Sequence, residues 1–241
     1  MITYLDVLLP IVSFVVAYLI GSIPISVIIG KIVYKQDIRE YGSKNPGGTN
    51  ATRLRGKKVG FSIILLDILK AALPVWTAIL IFRLTNLKDI MVPDSNAWAI
   101  WIAALGSVVG HSYSIFLKFK GGKGVATTVG SIGTTNFAEF IIGFITFFIT
   151  LFTKKMVSLA SIMLNVVGTL VSWILYILYM IGYESFVNHC FVFNPSLLSM
   201  NVAFPICMTL IAIIVVVRHK ENIVKIFNGT ENKIKSKKVD N

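Results

Sequence analysis

Long apolar blocks alternate with short polar segments along the whole chain, with windows at about 7 to 33, 59 to 83, 97 to 117, 124 to 152, 156 to 182 and 201 to 217. Most reach the roughly 20 residues that a helix needs to cross a bilayer, so the pattern predicts an all-α, polytopic integral membrane protein. The 124 to 152 window does not suit a single helix. At 1.5 Å per residue it would extend about 44 Å, well beyond the roughly 30 Å hydrocarbon core.

Charge decides how that window is read, because cytoplasmic loops carry the excess of Lys and Arg. Of 23 basic residues, eight fall in 31 to 58, three in 118 to 123, two at Lys154 and Lys155, and seven in 218 to 238. The connections 84 to 96 and 183 to 200 hold only Lys88 between them. A single span over 124 to 152 would put Lys154, Lys155 and the basic C-terminal segment on the wrong side. The window is therefore expected to cross twice, turning near "TTNFAE" at 134 to 139, and a re-entrant hairpin satisfies the charges equally well. Either way the N-terminus is outside and the C-terminus inside. This makes about seven transmembrane helices, the fourth and fifth short, in one domain over 1 to 241 with about 232 to 241 as a basic cytoplasmic tail.

Composition supports this reading. The chain is 55% hydrophobic and 14% charged with a mean hydropathy of +0.78, too apolar for a soluble surface. Its net charge of +12 sits between apolar blocks and so reports orientation, with no nucleic acid implied. No Lys or Arg precedes residue 31, and the first block exceeds the length of a signal core, so it is expected to stay in the mature protein. Cys190 and Cys207 have neither a disulfide framework nor metal-site spacing.

All dense polar sequence falls on the predicted cytoplasmic side. In "SKNPGGTNATR", Ser43, Asn45, Thr49, Asn50 and Arg53 surround glycines that include Gly48. Glycine lets backbone N–H groups approach an anion, and hydroxyl, amide and guanidinium donors complete a phosphate cradle. An ordinary Asn/Gly/Pro turn with solvated charges explains this segment equally well. In "KFKGGKG", Lys120, Gly121, Gly122, Lys123 and Gly124 stand before an apolar helix whose N-terminus offers free N–H groups. Three glycines and two lysines there exceed what a topology signal needs, which favours phosphate binding.

His219 and Asn222 follow the last apolar block and can face the same interface, as acid, base or hydrogen-bonding groups. His111 reads as an interhelical residue and His189 has no assigned role. Asp67 and Lys70, three apart in the second span, are expected to pair. "GSIP", with Gly21, Ser22 and Pro24, should kink the first span. There is no Walker loop, no Gly-x-Ser-x-Gly elbow, no His-x4-Asp pair and no metal-ligand spacing, so chemistry here should use an already activated substrate without metal or cofactor.

"GSIP", "SKNPGGTNATRLRG", "GHSYSIFLKFKGGKGVAT", "SLAS" and "RHKENI...GTE", in that order over residues 21 to 231, resemble the bacterial acyl-phosphate-dependent glycerol-3-phosphate acyltransferases, the PlsY-type family. The resemblance implies seven transmembrane helices with the N-terminus outside, in a bacterial cell membrane. It implies transfer of a fatty acyl group from acyl phosphate to the 1-hydroxyl of glycerol 3-phosphate, and as partners membrane lipid and an enzyme that makes acyl phosphate. It assigns Ser43, Asn45, Gly48, Thr49, Gly122, Lys123 and a serine of "SLAS" (Ser158 or Ser161) to the acyl-phosphate head, and Arg53, Lys123, His219 and Asn222 to glycerol 3-phosphate. The family usually reads Ser-Gly-Asn-x-Gly-Ala-Thr-Asn, whereas this chain has Lys44, Pro46 and Gly48, which puts the contact of Ser43 in question. A transporter or flippase is the rival reading, but its site belongs near the midplane between repeated halves, and no repeat is present.

Overall fold

The computed structural model describes residues 3–91, 95–192 and 200–234. Its helices are α1 (Tyr4–Ser22), α2 (Ile25–Tyr34), α3 (Gly48–Leu84), α4 (Leu87–Ile90), α5 (Ser95–Ser112), α6 (Val125–Gly133), α7 (Phe137–Lys154), α8 (Val157–Met180), α9 (Glu184–His189), α10 (Ala203–Arg218) and α11 (Lys220–Phe227). Single 3-10 turns stand at Ile38–Glu40 and Ile115–Leu117, and no strand occurs among the described residues. The basic tail expected beyond about 232 falls mostly outside them.

The helical membrane architecture matches the hydropathy pattern. Among the described residues five helices are long and apolar enough to cross a membrane, or six if α10 and α11, bent by 62°, count together. The first is the apolar stretch Tyr4–Tyr34, interrupted at Ile23 and Pro24, where the missing proline N–H ends α1. The third helix is likewise interrupted, at Gly56 (φ 85°), so residues 48–55 form a separate turn leading into the span.

The 124 to 152 window breaks where expected, at residues 134–136. The hydroxyls of Thr134 and Thr135 donate back to the Ser131 carbonyl at 2.8 and 3.0 Å, and the Asn136 side chain caps α7 by accepting from the Glu139 N–H at 2.9 Å. The two halves are unequal. With nine residues α6 is about 13.5 Å long and only half a span, while α7, at 18 residues or about 27 Å, is full length and not short as expected. Loops that fold into the bundle at both ends of α6 make up its missing length. At one end Gly121 and Gly122 donate to the Ser112 and His111 carbonyls at 3.2 and 2.9 Å; at the other, Phe137 donates to Cys190 O and Val192 to Thr135 O at 2.8 and 3.0 Å.

Packing of α1 on α5 depends on small residues. A Cβ at Gly106 would stand 2.7 Å from the Phe14 carbonyl, and Gly110, one turn on, makes a similar approach to Tyr18. Polar bonds then fasten the ends of these helices: Tyr18 Oη donates to Tyr113 O at 2.9 Å and Ser114 Oγ to Ser22 O at 2.6 Å. The adjoining core is centred on Trp101 against Phe204, with ring centroids 4.4 Å apart.

Candidate active site

The GGKG segment is held on three sides. Lys118 and Phe119 adopt left-handed backbone (φ 52° and 62°), turning the chain back towards the end of α5. From α10, the Arg218 guanidinium donates through Nε to Gly122 O at 3.0 Å and through its terminal nitrogen to Gly121 O at 2.6 Å. Glycine is required at 122 because a Cβ there would run into the His111 ring. Lys123 and the first N–H groups of α6 are thereby fixed at one place.

Lys123 Nζ donates to Asn222 Oδ1. The Asn222 amide nitrogen donates to Ser158 Oγ and to Glu231 Oε1, both at 2.9 Å, and Ser158 Oγ donates to the same Glu231 oxygen at 2.6 Å. Glu231 reaches this position because the chain after α11 folds back: its N–H bonds Lys225 O at 3.1 Å and that of Ile234 bonds Lys155 O at 2.7 Å. His219 is buried where α10 meets α11, with Nδ1 2.8 Å from Val215 O. In the neutral ring Nδ1–H is then the donor and Nε2 the available acceptor.

Electrostatics separate these groups. Burial, with Arg53 and Arg218 adding to it, lowers Lys123 to about 8, and Glu231 opposes the shift. Burial followed by the Lys123 charge lowers His219 to about 4. Near neutrality the site therefore presents a lysine cation beside an uncharged imidazole.

The 43–53 loop lies alongside. Pro46 borders a small void shared with Gly122, His111 and Asp67, and the charge of Arg53 is felt at Lys123. The buried Asn50 side chain organises this loop, accepting from Ser43 N at 3.0 Å and donating to Ile38 O and Tyr41 O at 3.1 Å each. Gly48 is buried at the start of α3, Asn45 is half-buried, and Ser43, Thr49 and Arg53 are exposed. Lys44 adopts the left-handed region (φ 56°) that its glycine counterpart in the resembled pattern enters without strain.

The structure thus brings Ser158, Lys123, His219 and Asn222 together beside the loop bearing Ser43, Asn45, Thr49 and Arg53, with Gly121, Gly122 and Gly124 framing the start of α6. Ser161 Oγ bonds Val157 O within α8, and Lys120 points to solvent. Two participants carry no role in the sequence reading, Arg218 and Glu231. Arg218 adjoins His219, whose site position was a cue to it, whereas Glu231 ends the GTE motif but pairs with Ser158 across 73 residues, a contact the motif does not reveal.

The glycerol-3-phosphate acyltransferase family model matches residues 11–229. Similar curated proteins include the glycerol-3-phosphate acyltransferase of Macrococcus caseolyticus (strain JCSC5402), 35% identical over 92% of this chain and 96% of that protein. That of Bacillus cereus (strain G9842) is 39% identical over 91% of this chain and 92% of its own length. Among solved structures, PlsY (YgiH), an integral membrane glycerol 3-phosphate acyltransferase, superposes in its glycerol 3-phosphate form with a TM-score of 0.72 at 30% identity, covering 94% of this chain and 96% of that one. Its lysophosphatidic acid form gives a TM-score of 0.70 at 29% identity, covering 94% and 95%.

Proposed function

This chain belongs to the glycerol-3-phosphate acyltransferase family, and on that premise we propose that it moves a fatty acyl group from acyl phosphate to the 1-hydroxyl of glycerol 3-phosphate, in phospholipid synthesis. The observation that supports a phosphate donor is the half-buried Lys123 cation at the N-terminus of α6, hydrogen-bonded to Asn222 and within the field of Arg53 and Arg218. Both substrates are phosphates, and such a cluster suits two neighbouring dianions.

In the proposed step the glycerol 3-phosphate hydroxyl oxygen attacks the acyl carbonyl carbon, and the bond from that carbon to the phosphate oxygen breaks. Inorganic phosphate leaves with the electron pair and takes up the hydroxyl proton, giving 1-acylglycerol 3-phosphate. An acyl phosphate is a mixed anhydride with a good leaving group, so the protein contributes position and charge. Lys123 and the α6 N–H groups, with Ser43, Asn45 and Thr49 from the adjoining loop, hold the phosphate that departs. Arg53, His219 and Asn222 hold glycerol 3-phosphate. The basic segments favour a site facing the cytoplasm of a bacterial cell.

Purified protein supplied with labelled glycerol 3-phosphate tests this directly. Acyl phosphate is expected to support turnover, in chelator as well as without it, and acyl-CoA to support little. Comparable rates with acyl-CoA would reject the donor.

A further inference from the structure

Asp67 and Lys70 lie one turn apart in the apolar part of α3, 3% and 7% exposed. Lys70 Nζ stands 2.8 Å from Asp67 Oδ1 and donates to the Ile23 carbonyl at 2.8 Å, at the break between α1 and α2. His111 Nδ1 is 3.6 Å from the same Asp67 oxygen. The histidine then meets Gly122 twice: its carbonyl accepts the Gly122 N–H at 2.9 Å, and its ring occupies the space a side chain at 122 would need. Pro46 borders the void enclosed by these groups. A continuous set of contacts thus runs from the break after α1, through α3 and α5, to the residue before Lys123, and touches the 43–53 loop on the way.

A buried ion pair is a poor source of stability. Apolar groups of similar volume often do as well, and within a bilayer the cost of the charges is higher still. What charged and hydrogen-bonding groups add is direction. This set points at two loops that must meet phosphate with correct spacing, and a misplacement of about 1 Å is enough to cost about a hundredfold in rate.

We propose that Asp67, Lys70 and His111 are positioning residues that hold the Gly122–Lys123 segment in register with the Pro46 loop and the break after α1. The proposal rests on the acyl-transfer reading. None of the three touches substrate; each acts through the backbone that carries Lys123.

The test compares His111→Ala, Lys70→Met, Lys70→Arg and the neutral pair Asp67→Asn/Lys70→Met, with kcat, KM for glycerol 3-phosphate and thermal midpoint measured on each purified protein. His111→Ala is expected to lower kcat/KM at least tenfold with a midpoint within a few degrees of the unmodified chain. The neutral pair should regain the midpoint lost in Lys70→Met yet stay at least tenfold low in kcat/KM. Lys70→Arg, which keeps both donations, should recover much of it. If kcat/KM instead follows the midpoint through the series, or His111→Ala keeps full activity, the residues are structural and the proposal is wrong. Should the neutral pair fail to fold, His111→Ala decides, since it removes no charge pair. All ratios are taken against the unmodified chain with whichever donor it turns over. Inactivity of that chain with acyl phosphate would reject the donor, and only the ratios bear on positioning.

Discussion

Lys123 and Asn222, 99 residues apart in sequence, share a hydrogen bond from Nζ to Oδ1. Asn222 can present that oxygen because Ser158 and Glu231 take its amide hydrogens and so fix which way the side chain faces. Its role is therefore paired with that of the lysine. Lys123→Ala and Asn222→Leu should each lower kcat/KM by about one to two decades, the range expected when a charge-assisted bond of about 1.5 to 3 kcal/mol is lost. Because the two share one interaction, the double variant should lose less than the product of the single losses. A fully multiplicative cycle would show that the residues act separately.

The lowered pKa of Lys123 makes rate depend on pH in a defined direction. With the ammonium required for phosphate, kcat/KM should fall as pH rises through about 8. The corresponding limb of kcat should lie higher, since a bound dianion favours the charged lysine. Glu231 is the largest influence holding the lysine up, so Glu231→Gln should move the kcat/KM limb to lower pH. Rate profiles from pH 6 to 10 check this, and a limb unchanged by Glu231→Gln would refute the assignment of the lysine.

Much of this architecture is legible in the order of residues. Helical spans follow from hydropathy, and the break at 134–136 follows from the basic residues that had to remain on one side. Glycine and lysine around 120–124 mark the loop because close backbone approach to the end of α5 needs the one, and the other makes it the candidate for the proposed phosphate contacts. What could not be read depends on tertiary folding. Hydropathy cannot reveal that loops at both ends of α6 dip into the bundle and leave it nine residues long. Nor does anything near Glu231 show that the chain after α11 returns to Ser158. Asn50, read as a ligand contact, uses its amide to hold the loop, a difference invisible without the carbonyls of Ile38 and Tyr41.

Lys44 offers a test on stability. Its left-handed backbone costs a side-chain-bearing residue roughly 1 to 2 kcal/mol, partly offset by the entropy that glycine loses on folding. Lys44→Gly should raise the thermal midpoint by a few degrees. Because Lys44 is exposed and no site role is assigned to it, kcat/KM should stay within about twofold of the unmodified chain. A lower midpoint would mean that the side chain contributes more than the strain it incurs.

Orientation can be tested at two exposed positions on opposite ends of the bundle. Ser185 lies in α9, beside the connection whose residues 190–192 bond the turn at 134–137, while Lys225 lies in α11, where its carbonyl anchors Glu231 next to the site. Both native cysteines are buried, so the unmodified chain should react slowly with a membrane-impermeant maleimide. Against that background Ser185→Cys should label in intact cells, and Lys225→Cys only after the membrane is permeabilised. The argument rests on the basic residues: the Lys225 end carries Lys123, Lys155, Arg218 and Lys220, and such clusters are retained on the cytoplasmic side. The reverse labelling pattern would place the loops bearing Lys123 and Arg53 outside the cell and overturn the proposed supply of both substrates from the cytoplasm.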